Sequence, residues 1–192
     1  MLQLSEICKM GEDSTRAAEL IERTLFACES AFHPLFNLAV GTSRLDYRRQ
    51  ENRAFFIALF RHITYVGGRA CHRTALEFCK MTLAMDPNSD PLGILLMIDF
   101  YAIRSQQYGW WIEFVQNWDP SRNLTQLPNI AFSLALAHFH GAKNGDFGIA
   151  DQKLQKALID FPGVLLPLLD KCSVDIDKRV MGSAFFLDAQ SK

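Results

Sequence analysis

No stretch of this sequence is apolar for long enough to cross a bilayer. The longest apolar run, residues 92–98, is interrupted by Asp99 and followed by Arg104, whereas a spanning helix needs roughly twenty such residues. An excess of either charge is missing too, since 20 lysines and arginines face 21 aspartates and glutamates for a formal net charge of −1. Such a chain exerts no general attraction on nucleic acid or an acidic membrane surface. No membrane partner is expected, nor direct nucleic-acid binding by this segment. The start, Leu2-Gln3-Leu4-Ser5-Glu6, is amphipathic rather than secretory. With an odd set of five cysteines (Cys8, Cys28, Cys71, Cys79 and Cys172), this predicts reduced thiols in the cytoplasm, with the nucleus as a second compartment.

Chemical motifs are equally scarce. Structural zinc calls for four converging ligands, commonly in Cys-x₂₋₄-Cys and His-x₃₋₅-His pairs. Here Cys71 and Cys79 are too far apart to form such a pair, while His138 and His140 point in different directions on a helix. No serine or cysteine has an identifiable base, and no glycine-rich loop carries a phosphate fingerprint. The expectation is a chain without metal, cofactor or enzymatic activity. Strand signals are almost absent.

What is present is apolar residue at helical spacing. Hydrophobic residues make up 49% of the chain, enough for a substantial core. In residues 73–87, Ala75, Phe78, Cys79, Thr82 and Leu83 recur at three- and four-residue steps and fall on one helix face. That face has no mate nearby in sequence and must pack on a neighbouring helix. Glycine and proline punctuate the chain alternately. Gly11 separates residues 2–10 from 15–31, closed by Pro34; Gly67-Gly68 separates 52–66 from 73–85, closed by Pro87. Gly109 separates 92–107 from 110–118, closed by Pro120. Gly141 and Gly145 separate 129–140 from 149–161, closed by Pro162. Glycine supplies a left-handed residue that lets the chain reverse, and proline cannot continue a helix. Asp90-Pro91 and Pro128 read as helix starts.

Three of the second helices share a pattern. AAELIERTL, ALEFCKMTL and ADQKLQKAL begin at Ala17, Ala75 and Ala150 and end at Leu25, Leu83 and Leu158. Their spacing is irregular. The predicted fold is all-α: about four irregular, tetratricopeptide-like helical hairpins stacked as an α-solenoid. Residues 1–175 form the repeat domain in this reading, and residues 176–192 a poorly ordered tail.

Three surfaces are candidates for binding. Residues 44–53, RLDYRRQENR, lie between the first two hairpins and place Arg44, Arg48, Arg49 and Arg53 around Tyr47, with Asp46, Glu51 and Asn52 among them. Arginine suits bidentate recognition of carboxylate or phosphate; the same residues could equally form an internal network that holds the linker down. Trp110, Trp111, Phe114 and Trp118 form an aromatic ladder expected mainly in the core, with one of the first two partly exposed and Trp111 taken as the candidate contact. The apolar segment 161–169, including Phe161, Leu165 and Leu166, either caps the array or docks a partner, and capping is the favoured expectation.

Long stretches also resemble a known family. AFHPLFNLAVGTSRLDYRRQENRAFF, RTALEFCKMTLAMDPNSDPLGILLMID, RNLTQLPNIAFSLALA and FPGVLLPLLDKCSV are similar, in the same order, to the transcription factor 25 family, whose yeast relative is a ribosome quality control complex subunit. Gln50 stands where that family typically has proline, and residues 139–149 are shorter than in vertebrate members. The resemblance covers only the central helical segment of longer members. It implies a noncatalytic adaptor working with large ribosomal subunits, the ubiquitin ligase Listerin, ubiquitin and the valosin-containing ATPase to ubiquitinate and extract stalled nascent chains. The family's older name implies the alternative of a nuclear transcriptional repressor or co-regulator scaffold.

Overall fold

The computed structural model describes residues 1–38, 40–142 and 145–187. These residues are all-helical, and each helix packs mainly on its neighbours in sequence. The chain divides into two compact units, Met1–Ser105 and Gln106–Lys192.

The first unit holds α1 (Leu2–Met10), α2 (Ser14–Glu29), α3 (Gln50–Gly68), α4 (His72–Met85) and α5 (Ile98–Arg104). Short turns join α1 to α2 and α3 to α4, and in each case the two helices pack against one another. Helix α3 also lies against α2, which explains why Phe55, Phe56, Ala58, Leu59, Ile63 and Val66 are all buried: α3 has neighbours on two sides. Ile21 and Leu25 of α2 join the α3 aromatics and Met85 in the core. Polar side chains tie α1 to the rest of this unit. Ser5 Oγ donates to Ala17 O at 3.0 Å, tying α1 to α2, and Arg61 of α3 reaches Leu2 O at 2.9 Å and the Glu6 carboxylate.

The second unit holds α6 (Tyr108–Arg122), α7 (Pro128–Gly141), α8 (Gly148–Asp160), α9 (Leu165–Lys171), α10 (Lys178–Met181) and α11 (Ala184–Leu187). Helix α7 packs on both α6 and α8. Its small residues Ala131, Ser133, Ala135 and Ala137 are buried with Ile130 and Leu134, so backbones approach closely on either side. Residues 188–192, the end of the expected tail, lie outside the described residues; α10 and α11 precede them.

The shared helix pattern has structural counterparts. Ala17, Ala75 and Ala150 are all buried. Thr24 and Thr82 make the same bond, each hydroxyl donating to the carbonyl four residues earlier at 2.7 Å. The match is incomplete, because Leu25 and Leu83 are buried whereas Leu158 is only partly so.

Four expectations need correction. The left-handed residues near the first three glycine turns are Glu12, Ala70 and Gln106, not the glycines; Gly67 and Gly68 are the last residues of α3. Gly67 serves close packing instead, because a Cβ there would run into the Tyr101 ring. The helix expected from residue 92 begins at Ile98. Asp90, itself left-handed, caps a single 3-10 turn (Ile94–Leu96) by accepting from the amides of Ile94 at 2.8 Å and Leu95 at 2.9 Å. Pro120 does not stop α6, which continues to Arg122 and ends at the left-handed Asn123. Finally, the boundary between the two units falls inside the expected third hairpin: α5 packs on α4 within the first unit, and α6 on α7 within the second.

Candidate interaction surface

The linker between α2 and α3 is pinned at both faces. Its apolar side chains Phe32, Leu38, Leu45 and Tyr47 pack on the core of the first unit, with Phe32 edge-on to Phe55 and Tyr47 edge-on to Phe56. Leu45 N–H donates to Met85 O at 3.1 Å, fastening the linker to the end of α4. This leaves a recess of about 290 Å³ beside Arg44, Asp46 and Arg48 on one side and Asp86–Ser89 on the other.

Within residues 44–53 most polar bonds are internal. Asp46 accepts from the backbone N–H of Arg48 at 2.9 Å and from that residue's Nε and Nη2 at 3.2 and 3.3 Å. The Arg48 guanidinium holds the Asp46 carboxyl below its ordinary pKa, chiefly through these hydrogen bonds. Asn52 Nδ2 donates to Asp46 O at 2.8 Å. Arg53 donates to Tyr47 O at 3.2 Å and Arg48 O at 3.4 Å while its guanidinium sits 5.6 Å from the centre of the Tyr47 ring. Arg44 donates to the carbonyls of Gly41 and Ser43. The network and the surface coexist: the backbone is held down, yet Arg44, Asp46, Arg48, Arg49 and Arg53 remain exposed and Tyr47 and Asn52 half-buried. Arg48 is 91% exposed, so solvent screens its pair with Asp46 and the pair adds little to stability.

Trp111 is completely buried, and no acceptor for its Nε1–H stands among the described residues. It is a core residue and offers no surface. Trp110, Phe114 and Trp118 are the half-buried members of the ladder, Trp110 stacked on Phe114 at 5.2 Å and Phe114 tilted against Trp118 at 4.8 Å, with Arg122 over Trp118 at 4.6 Å. In the third segment Leu166 is buried and Phe161 and Leu165 half-buried. The 3-10 turn Pro162–Val164 packs against α8, α9 and α11.

The histidines and cysteines do not converge. His62 lies edge-on to Phe78, whereas His72 meets Phe100 and Tyr101. Among the described residues no three metal-ligating side chains are placed to share an ion, and no helix is long and apolar enough to cross a membrane. Cys79 is buried and its thiol pushed up to about 12 by desolvation, while Cys71 and Cys172 are exposed.

Fold and surface define an all-helical scaffold of sequentially packed helices whose most distinctive exposed feature is a pinned, arginine-rich linker. The chain belongs to the family described as Transcriptional repressor TCF25, whose model matches residues 1–192. It is 47% identical over 195 residues to the human protein named Ribosome quality control complex subunit TCF25, covering 97% of this chain and 29% of that relative. It is 36% identical over 183 residues to Ribosome quality control complex subunit 1 of Schizosaccharomyces pombe, covering 95% and 27%. A protein of Ampulloclitocybe clavipes named Probable transcription factor claV is 32% identical over 194 residues, covering 94% and 25%. The chain thus spans less than a third of the length of these curated relatives. No solved structure matches it.

Proposed function

We propose that this chain acts as a noncatalytic adaptor in ribosome-associated quality control, assisting ubiquitination and extraction of stalled nascent chains on large ribosomal subunits. The observation that carries the reading is family membership along the entire chain, with relatives from human to fission yeast bearing subunit names of that complex. The scaffold suits the role. Helix pairs stacked as an irregular tetratricopeptide-like solenoid would present separate rigid faces to different partners. Those partners would be the large ribosomal subunit, Listerin, ubiquitin and the valosin-containing ATPase, met in the cytoplasm and, secondarily, in the nucleus. Arg44, Asp46, Tyr47, Arg48, Arg49, Asn52 and Arg53 form one contact face, and Phe161 and Leu165 a second; Leu166, buried, supports that second face from beneath rather than presenting a surface.

The test is affinity capture of the chain from cells with stalled ribosomes, followed by mass spectrometry. Recovery of ribosomal proteins and the ligase supports the reading; absence of both overturns it. Combined Arg48→Ala and Arg49→Ala substitution should reduce capture without lowering the melting temperature by more than about 2 °C, as the exposed Arg48–Asp46 pair adds little stability. The relative named as a transcription factor favours a second reading, a nuclear co-regulator scaffold. Enrichment at chromatin with no ribosomal proteins recovered would select it.

A further inference from the structure

We infer that the exposed guanidinium groups of Arg44, Arg49 and Arg53 dock an acidic polypeptide segment, one presenting several aspartate or glutamate side chains. The inference rests on the adaptor reading above and gives one of its contacts a chemistry.

Charge placement comes first. Residues 44–53 hold four arginines and two carboxylates on a chain whose formal net charge is −1. Both oxygens of Asp46 are engaged by Arg48. Among the described residues no carboxylate lies within ion-pair distance of Arg44, Arg49 or Arg53; Arg44 and Arg49 lie on the linker and Arg53 in the first turn of α3, and Asp46, already bound by Arg48, is the carboxylate that Arg49 acts on through space. Arg44 and Arg53 are also held in place without being neutralised. Arg44 Nη1 donates to Gly41 O at 2.8 Å and Ser43 O at 3.3 Å. Arg53 uses Nε and Nη2 on two carbonyls and rests over the Tyr47 ring. A guanidinium carries five N–H donors, so each keeps donors for an incoming carboxylate. Arg49 stands at the start of the 19-residue α3, whose first-turn amides add partial positive charge; Glu51 in that turn offsets part of it. Anchoring of the linker by Leu45, Tyr47 and Asn52 means that little backbone needs ordering on binding.

Peptide is favoured over nucleic acid by two features. Asp46, Glu51 and Asp86 interrupt the positive surface, and a continuous phosphate backbone would meet them; a peptide can space its carboxylates to avoid them. The Tyr47 ring is half-buried, edge-on to Phe56 and flanked by Arg53, so no open aromatic platform awaits a base.

The experiment is fluorescence anisotropy of the chain with a labelled Asp/Glu-rich peptide, a neutral peptide of equal length, and single-stranded RNA of equal charge. The acidic peptide should bind at low salt and weaken about tenfold at physiological ionic strength, where exposed charges are screened beyond roughly 8 Å. Arg49→Glu should weaken it by about fivefold or more with melting unchanged. Arg16→Glu makes the same change in net charge on α2 and should alter affinity by less than about twofold. Absence of salt-sensitive binding, equal weakening by both reversals, or tighter binding of RNA than of peptide would each overturn the inference. The two readings fail separately. Capture of ribosomal proteins and ligase without acidic-peptide binding removes this inference and keeps the adaptor; peptide binding without capture keeps this inference and removes the adaptor.

Discussion

Two adjacent glycines at the end of α3 should respond to the same substitution with opposite signs. A methyl group added at Gly67 would overlap Tyr101 Oη and lie 2.6 Å from Cε1 and 2.8 Å from Cζ. Carbon atoms ordinarily approach to about 3.5–4.0 Å, so the ring would have to retreat by about 1 Å. Tyr101 is poorly placed to do so. It is only 6% exposed, its ring meets Phe100 and His72, and its hydroxyl donates to Ile63 O at 3.5 Å. Overpacking of this kind costs about 1–3 kcal/mol, against a gain of roughly 0.5–1 kcal/mol from replacing a helical glycine by alanine. Gly67→Ala should therefore destabilise by about 0.5–2 kcal/mol. Gly68 has nothing within 4 Å of its added Cβ, so Gly68→Ala should stabilise by up to about 0.5 kcal/mol at this helix end. Urea denaturation followed by far-UV circular dichroism gives both values. Because Gly67→Ala could also act through the backbone, the substitution should be repeated in a Tyr101→Ala background, where the clash is gone and the sign should reverse. Equal stability of the two alanine variants, or an undiminished penalty without the tyrosine ring, would refute the packing argument.

Gln50 is the first residue of α3 and is preceded by Arg49 in extended conformation with ψ 124°, a geometry that proline accepts and prefers in its neighbour; Gln50→Pro should raise stability by about 0.4–1 kcal/mol in thermal melts. Alkylation of the native chain at mildly alkaline pH, read by mass spectrometry, should label Cys71 and Cys172 quickly and Cys79 only on unfolding, because burial pushes the Cys79 thiol to about 12. Burial also lowers the pKa of His62 and His138 below 6.5; Glu22 opposes this at His62 while Arg69 adds to it, and Lys153 adds to it at His138. Their unfolded forms bind protons first, so this contribution to stability is present above about pH 6.5 and is lost as pH falls. Melting at pH 5.5 should be lower than at pH 7.5, and His62→Phe should narrow the gap.

Helical periodicity carried much of the fold. The face of α4 read from Ala75, Cys79, Thr82 and Leu83 is buried as expected, with Phe78 partly so, because a 3.6-residue repeat is a local property that packing need only accept. The equivalence of Thr24 and Thr82 was legible for the same reason. The arginine-rich linker could be singled out by composition, but not the way it is held: Leu45 bonds to Met85, a pairing that no local pattern encodes. Trp111 and Trp110 carry the same side chain one position apart, and only the packing around α6 buries the first completely and leaves the second half-exposed.

By itself, then, the amino-acid sequence determined the helical class, the faces that enter the core, the near-neutral charge and the family. Tertiary structure decided which residues reverse the chain, why Gly67 must lack a side chain, and which arginines have no carboxylate within ion-pair distance among the described residues. The division has a physical basis. Helix formation and amphipathic patterning depend on neighbours within a turn or two, whereas steric fit and hydrogen-bond satisfaction depend on groups brought together from distant positions only once the helices have packed.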